Sequence, residues 1–190
     1  MPGNALGGVI IPVVGRCVGA GEKKQAKYYT RLFVAATYAL LWLVVLATFL
    51  FAKPLIAAYD LSPESATLTH QLILYHGISA SILWPIAFTL AVPFRAASDV
   101  RFPLVISVFS MWVFRVALSY VFALESITAF GITIPGLGMG VLGVFVAMTI
   151  DWVFRAVLFL YRYLSGRWLM NYKPIRKENT NIKEAESKAP

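Results

Sequence analysis

Long apolar stretches, divided by short polar or glycine-rich joints, set the pattern of this chain. Residues 5 to 18 form a first apolar run, broken by Pro12. At ~1.5 Å rise per residue it reaches roughly 20 Å, short of the ~30 Å hydrocarbon core of a bilayer, so it reads as a truncated spanning helix. Leu32 to Ala52 carries no charge at all and predicts a full span within a helix over 25–54. Ser62-Pro63-Glu64 has the form of an N-cap, a proline at the first helical position and an acid in the first turn, opening a helix over 65–92. Pro85 sits in the apolar middle of that helix and should kink it. Further helices are predicted over 103–124 and 139–163, separated by a Gly- and Pro-rich loop at 125–138. From Asn171 the chain is polar, and 170–190 is expected to be a disordered tail.

Composition turns these runs into membrane spans. Of 190 residues, 59% are hydrophobic and 14% charged, with a mean hydropathy of +0.72. A soluble domain is nearer half apolar and a quarter charged, so lipid must serve as solvent for much of this surface. The expected fold class is an all-α membrane protein with four full transmembrane helices and a truncated N-terminal one. The net charge of +8 would suggest nucleic acid on a soluble protein. Here the basic residues sit in joints and tail, so membrane orientation accounts for them and no nucleic-acid partner is expected.

The positive-inside rule gives the direction. Lys23, Lys24, Lys27 and Arg31 flank one joint, Arg95 and Arg101 the next on that side, and Arg162, Arg167, Lys173, Arg176 and Lys177 begin the tail. The two intervening joints hold only Lys53. The first corner, the 93–103 loop and the C-terminus are therefore expected in the cytoplasm. Cys17 is alone, which excludes an internal disulfide, and the start shows no removable signal peptide.

Four short motifs carry a family resemblance. Gly15-Arg16-Cys17-Val18-Gly19-Ala20-Gly21, followed by Gln25-Ala26, resembles the G-Q-x-x-G-A-G corner of the multidrug and toxic compound extrusion (MATE) transporters, with Arg16 at the usual Gln. Residues 93 to 103 resemble the L-R-G-x-G-D-T-x-x-P loop of that family, with Arg95, Asp99 and Pro103 in register. Gly138 to Val144 resembles its G-x-x-G-V start of the last helix, and Ser165-Gly166-Arg167-Trp168 its closing G-K-W. The resemblance covers residues 3 to 169, here a partial C-terminal lobe at 1–169, and corresponds to the end of the eighth helix through the twelfth. It implies a fragment of a longer product, or a truncated reading frame beginning at Met1, lacking the N-terminal half. It further implies a multi-pass protein of the plasma membrane that exports organic cations and other drugs by antiport against Na⁺ or H⁺. The coupling ion rests on the resemblance alone. No other cofactor is implied, and the chain by itself is expected to be inactive. The family's cation site uses acids on its seventh and tenth helices. The seventh is absent, and 68–92 holds no Asp or Glu, so no family ligand is carried over.

Ionisable residues at bilayer depth are costly and need a partner or water. Arg115 and Asp151 each lie twelve residues from a cytoplasmic helix end, roughly 18 Å in, on antiparallel helices. A direct Arg115–Asp151 pair is possible, and Arg155, one turn from Asp151, competes for it. A pair that only fixes helix packing and a direct part in coupling are both open. His70 and His76 lie about 240° apart around a helix, which argues against a shared metal; His76 is deep enough to be a titrating group or a hydrogen-bonded structural one. Most of the five Trp are expected to face lipid or the interface. There is no Walker A sequence, no H-E-x-x-H, no G-x-S-x-G and no Cys cluster, so no enzyme is expected. The rival readings are a lipid-linked sugar flippase of similar architecture, a small self-sufficient exporter, which would want an acid in 32–52, and a non-transporting membrane fragment.

Overall fold

The computed structural model describes residues 2–129 and 132–170. Helix α1 (Pro2–Gly19) continues through Pro12 and is longer than the apolar run that predicted it. Four helices follow that are long and apolar enough to cross a membrane: α2 (Lys23–Ala57), α3 (Pro63–Ala96), α4 (Arg101–Ala123) and α5 (Val141–Leu164). A 3₁₀ turn, Arg167–Leu169, closes the described chain. The protein is thus an all-α membrane protein, and the expected tail lies beyond the described residues.

The start of α3 follows its sequence signal. Ser62 Oγ accepts the Ser65 N–H at 3.4 Å, Pro63 occupies the first turn and Glu64 follows it. Pro85 has no N–H to give the carbonyl one turn earlier, and the helix widens there into a π turn, Pro85–Thr89. Leu90 resets the helix, so Pro93 falls in the first turn of Ala91–Ala96, where a missing N–H is tolerated. The joint expected at 93–103 accordingly shrinks to residues 97–100. A second π turn, Met111–Ala117, lies inside α4 and holds Arg115.

The joints at the basic end are built alike. At the first corner Gly21 is left-handed (φ +78°), the Glu22 N–H reaches the Cys17 carbonyl at 2.9 Å and the Gly21 N–H that of Val18 at 3.0 Å. At the second, Ser98 takes the same role (φ +63°), with Asp99 N–H to Phe94 O at 2.9 Å and Ser98 N–H to Arg95 O at 3.1 Å. Both are Schellman endings. At the third, Gly166 is left-handed (φ +67°). Of the glycines at the first corner, only Gly21 is there for its φ; Gly15 lies inside α1, where an added Cβ would come 3.9 Å from the Ala96 carbonyl. Ser98 holds a conformation that costs a residue with a Cβ ~1–2 kcal/mol. Ser98→Gly is expected to stabilise the protein by up to ~1 kcal/mol, less glycine's extra chain entropy, read as a higher Tm in detergent.

At the opposite end, the loop expected over 125–138 contains a two-stranded antiparallel hairpin. Ser126–Ala129 pairs with Ile132–Pro135, Ile127 opposite Ile134 and Ala129 opposite Ile132. The stretch after it straps the end of α4. The N–H groups of Leu137, Met139, Gly140 and Gly138 bond the carbonyls of Val121, Phe122, Ala123 and Leu124, at 2.9 to 3.0 Å. The last carbonyls of a helix have no partner of their own, and near lipid they need one.

Side chains from α1, α2, α3 and α5 meet in two buried clusters, and α4 adds only the partly buried Phe102 and Ile106 to the edge of the first. Toward the basic end, Val14 and Val18 of α1, Phe33 of α2, Phe94 of α3 and Phe159 of α5 enclose Trp168. Deeper in the bundle, Leu41 and Val45 of α2 meet Trp84 of α3 and Trp152 of α5.

Candidate functional site

Helix α5 buries one continuous stripe that includes Ala147, Asp151, Arg155, Phe159 and Tyr163. Because Asp151 and Arg155 stand four apart with the acid first, the favourable order on a helix, they meet directly. Arg155 Nε donates to Asp151 Oδ1 at 2.9 Å, with the aspartate 0% and the arginine 6% exposed. The same guanidinium donates from Nη2 to the Ser107 carbonyl of α4 at 3.1 Å and lies 5.3 Å over the Phe88 ring of α3. One charge pair therefore clamps three helices. Asp151 Oδ2 is buried and has no hydrogen-bond partner among the described residues.

The pairing of Asp151 with Arg115 does not form. Arg115 is exposed on the π turn of α4 and makes no ion pair among the described residues. Depth placed the two residues at one level, but Arg155 was nearer along the helix and already faced inward. His76 packs edge-on to Phe145, ring centroids 5.6 Å apart, and 5.3 Å from Trp152, with its Nδ1 buried and without a partner among the described residues. It borders an apolar cavity of about 350 Å³ between α2 and α3, lined by Leu41, Val45, Phe49, Gly77 and Trp84. His70 borders a wider groove of about 650 Å³ near the acidic end, with Lys53, Asp60 and Gln71.

A second ion pair joins residues far apart in the chain. Arg162 of α5 grips Asp99 in the joint between α3 and α4, Nε to Oδ2 at 2.9 Å and Nη2 to Oδ1 at 3.1 Å, and stands 4.7 Å over the Phe102 ring. Asp99 is 3% exposed. The signal available was that Asp99 is the only acid in a basic stretch, and an acid buried there needs a cation. Arg95, its neighbour in the motif, is exposed and among the described residues bonds its own helix, Nε to the Ala91 carbonyl at 3.3 Å. Gly19 and Ala20 end α1 without side-chain chemistry. The expectation that most tryptophans face outward is corrected: Trp84, Trp152 and Trp168 are buried, and only Trp42 and Trp112 are exposed. The three buried rings pack between helices, where they fill more volume than any other side chain could.

A family model described as MatE matches residues 1–121, from α1 into α4. The chain belongs to the MatE family. Among curated relatives it is similar to the "Probable multidrug resistance protein NorM" of Thermotoga maritima, 25% identical over 168 residues, 88% of this chain and 34% of that one. It is 26% identical over 168 residues to the "Uncharacterized transporter YisQ" of Bacillus subtilis, covering 83% and 32% of the two chains. To the "Probable multidrug resistance protein YoeA" of the same organism it is 22% identical over 121 residues, 64% and 26%. The chain spans about a third of the length of the first two relatives. No solved structure matches. Helix α5, with Asp151, Arg155 and Arg162, lies beyond the stretch the MatE model covers.

Proposed function

We propose that this MatE chain forms the C-terminal part of a secondary multidrug exporter, from the end of the eighth helix through the twelfth, working by antiport against Na⁺ or H⁺. The observation that carries this is family membership combined with four spans joined by the motif-bearing corners in the family's order. Two relatives bear the name of multidrug resistance proteins. Alternating access needs two lobes moving around a shared site, and the chain covers about a third of its relatives, so export is assigned to the longer protein. Within that assembly, the Asp151–Arg155 clamp holds the lobe rigid. Arg115, exposed at bilayer depth without an acid among the described residues, faces water or the other lobe. Expressed alone in a strain stripped of other exporters, residues 1 to 190 are expected to confer no drug resistance. Resistance from the lone chain would overturn the reading.

The orientation we propose puts the basic end in the cytoplasm and the protein in the plasma membrane. Lys23, Lys24, Lys27, Arg31, Arg95, Arg101, Arg162 and Arg167 lie at one end, against Lys53, Asp60, Glu64 and Glu125 at the other. With Cys17 replaced, a cysteine probe at the exposed Glu64 is expected to label from outside sealed cells, and one at the exposed Ser98 only after permeabilisation. Outside labelling at 98 would reverse the topology.

A further inference from the structure

We propose that the slot between α2, α3 and α5 at the basic end is a binding site for one anionic phospholipid. The slot holds about 290 Å³ and is bordered by Arg31, Ala35 and Tyr38 of α2, Ile86 and Leu90 of α3, and Leu160 of α5. Arg31, Leu90 and the neighbouring Tyr163 are nearest the basic end of their helices, and Tyr38, Ile86 and Leu160 lie deeper. The slot therefore runs inward along the membrane normal for ~10 Å, the rise of the seven residues from Arg31 to Tyr38.

Its chemistry is divided. Three hydroxyls border it, and each is committed elsewhere: Thr30 donates to the Ala26 carbonyl at 2.8 Å, Tyr38 to Ile82 at 2.7 Å and Tyr163 to Lys27 at 3.3 Å. What they leave is an apolar channel. Among the described residues that border it, Arg31 is the charged one; it is exposed and makes no ion pair among the described residues. Lys24 and Lys27 continue the same helical stripe outward at spacings of three and four residues. Glu22 opposes them from the corner, and Asp99, the acid of the adjacent joint, is held by Arg162. An apolar channel under a ladder of cations fits an acyl chain below a phosphate. A zwitterionic lipid would bring its own cation into that ladder. A free phosphate would gain nothing from the channel.

The inference rests on the basic end facing a leaflet with anionic lipid, but the slot can be tested without regard to orientation. The full chain in neutral detergent is titrated with phosphatidylglycerol, phosphatidylcholine or glycerol phosphate, with bound lipid read by native mass spectrometry and Tm alongside. Phosphatidylglycerol is expected to be retained and to raise Tm. Arg31→Gln should weaken it about five-fold, the share of one cation at a membrane surface. Ala35→Trp, which fills the channel from an exposed position, should remove it. Arg101→Gln, at the same end but outside the slot, should leave it unchanged. Equal retention of phosphatidylcholine, competition by glycerol phosphate, or retention undiminished by both Arg31→Gln and Ala35→Trp would overturn the site, the last outcome putting the lipid elsewhere on the protein. Failure here with export intact in the longer protein would leave the transporter reading standing.

Discussion

Replacing Arg155 by Leu is expected to cost the folded protein ~3–5 kcal/mol, the loss seen when one partner of a buried pair is removed. The change strands the Asp151 carboxylate, which is 0% exposed and already has one oxygen without a partner. It also removes the donor to the Ser107 carbonyl and the cation over Phe88, so α5 loses its tie to α4 and α3 together. Asp151→Leu should cost less, because Arg155 keeps the Ser107 carbonyl and the Phe88 face. The double change to Leu is expected to be milder than Arg155→Leu alone, since no charge is left uncompensated. Arg115→Leu is the control: the residue is exposed and unpaired among the described residues, so its loss should be within ~0.5 kcal/mol. A double-mutant cycle read as thermal stability in detergent, in the full-length parent, gives the coupling between 151 and 155. Additive losses there, or a loss at Arg115 equal to that at Arg155, would refute the clamp. Coupling in stability with transport unchanged would make the pair purely a packing device.

That contrast shows what the sequence disclosed and what it withheld. The spans were legible because uncharged runs of about twenty residues have no other stable environment. The Ser62-Pro63-Glu64 cap was legible because capping is local. Arg155 was legible as a competitor for Asp151, since four-residue spacing on a helix fixes proximity. The facing of Arg115 was not. Depth along a helix says nothing about rotation around it, and the π turn Met111–Ala117 shifts that rotation from the regular helical one. The Asp99–Arg162 grip was hidden for another reason. Its partners are 63 residues apart, and in the sequence Arg162 is one of a run of cations that set orientation. The hairpin at Ser126–Pro135 had a local signal in its alternation of Ile and Thr, but the flanking Gly and Pro outweighed it.

The second large effect is expected at Gly143, in the glycine-rich stretch that opens α5. A Cβ there would lie 2.6 Å from the carbonyl carbon and oxygen of Phe122 and 2.9 Å from the Ala123 nitrogen. These are backbone atoms of α4, and they are not free to retreat. The Phe122 carbonyl already accepts the Met139 N–H at 2.9 Å, and the Ala123 carbonyl accepts that of Gly140 at 3.0 Å. Any shift of α4 away from Gly143 must stretch the strap that closes its end. Gly143→Ala is therefore expected to cost ~1–3 kcal/mol, and Gly143→Val more. Gly77 of α3 is the matched control. Its added Cβ would come as close, 2.5 Å, but to the ring of Phe49, a side chain that can turn into the neighbouring 350 Å³ cavity. There the gain in helix propensity, ~1 kcal/mol for Gly to Ala, can offset the contact, so Gly77→Ala should be near neutral. Both variants are read as Tm in the same detergent. Equal losses at the two glycines would mean that the α4–α5 contact yields as easily as a phenylalanine ring. The strapped end of α4 would then be no more rigid than the rest of the bundle.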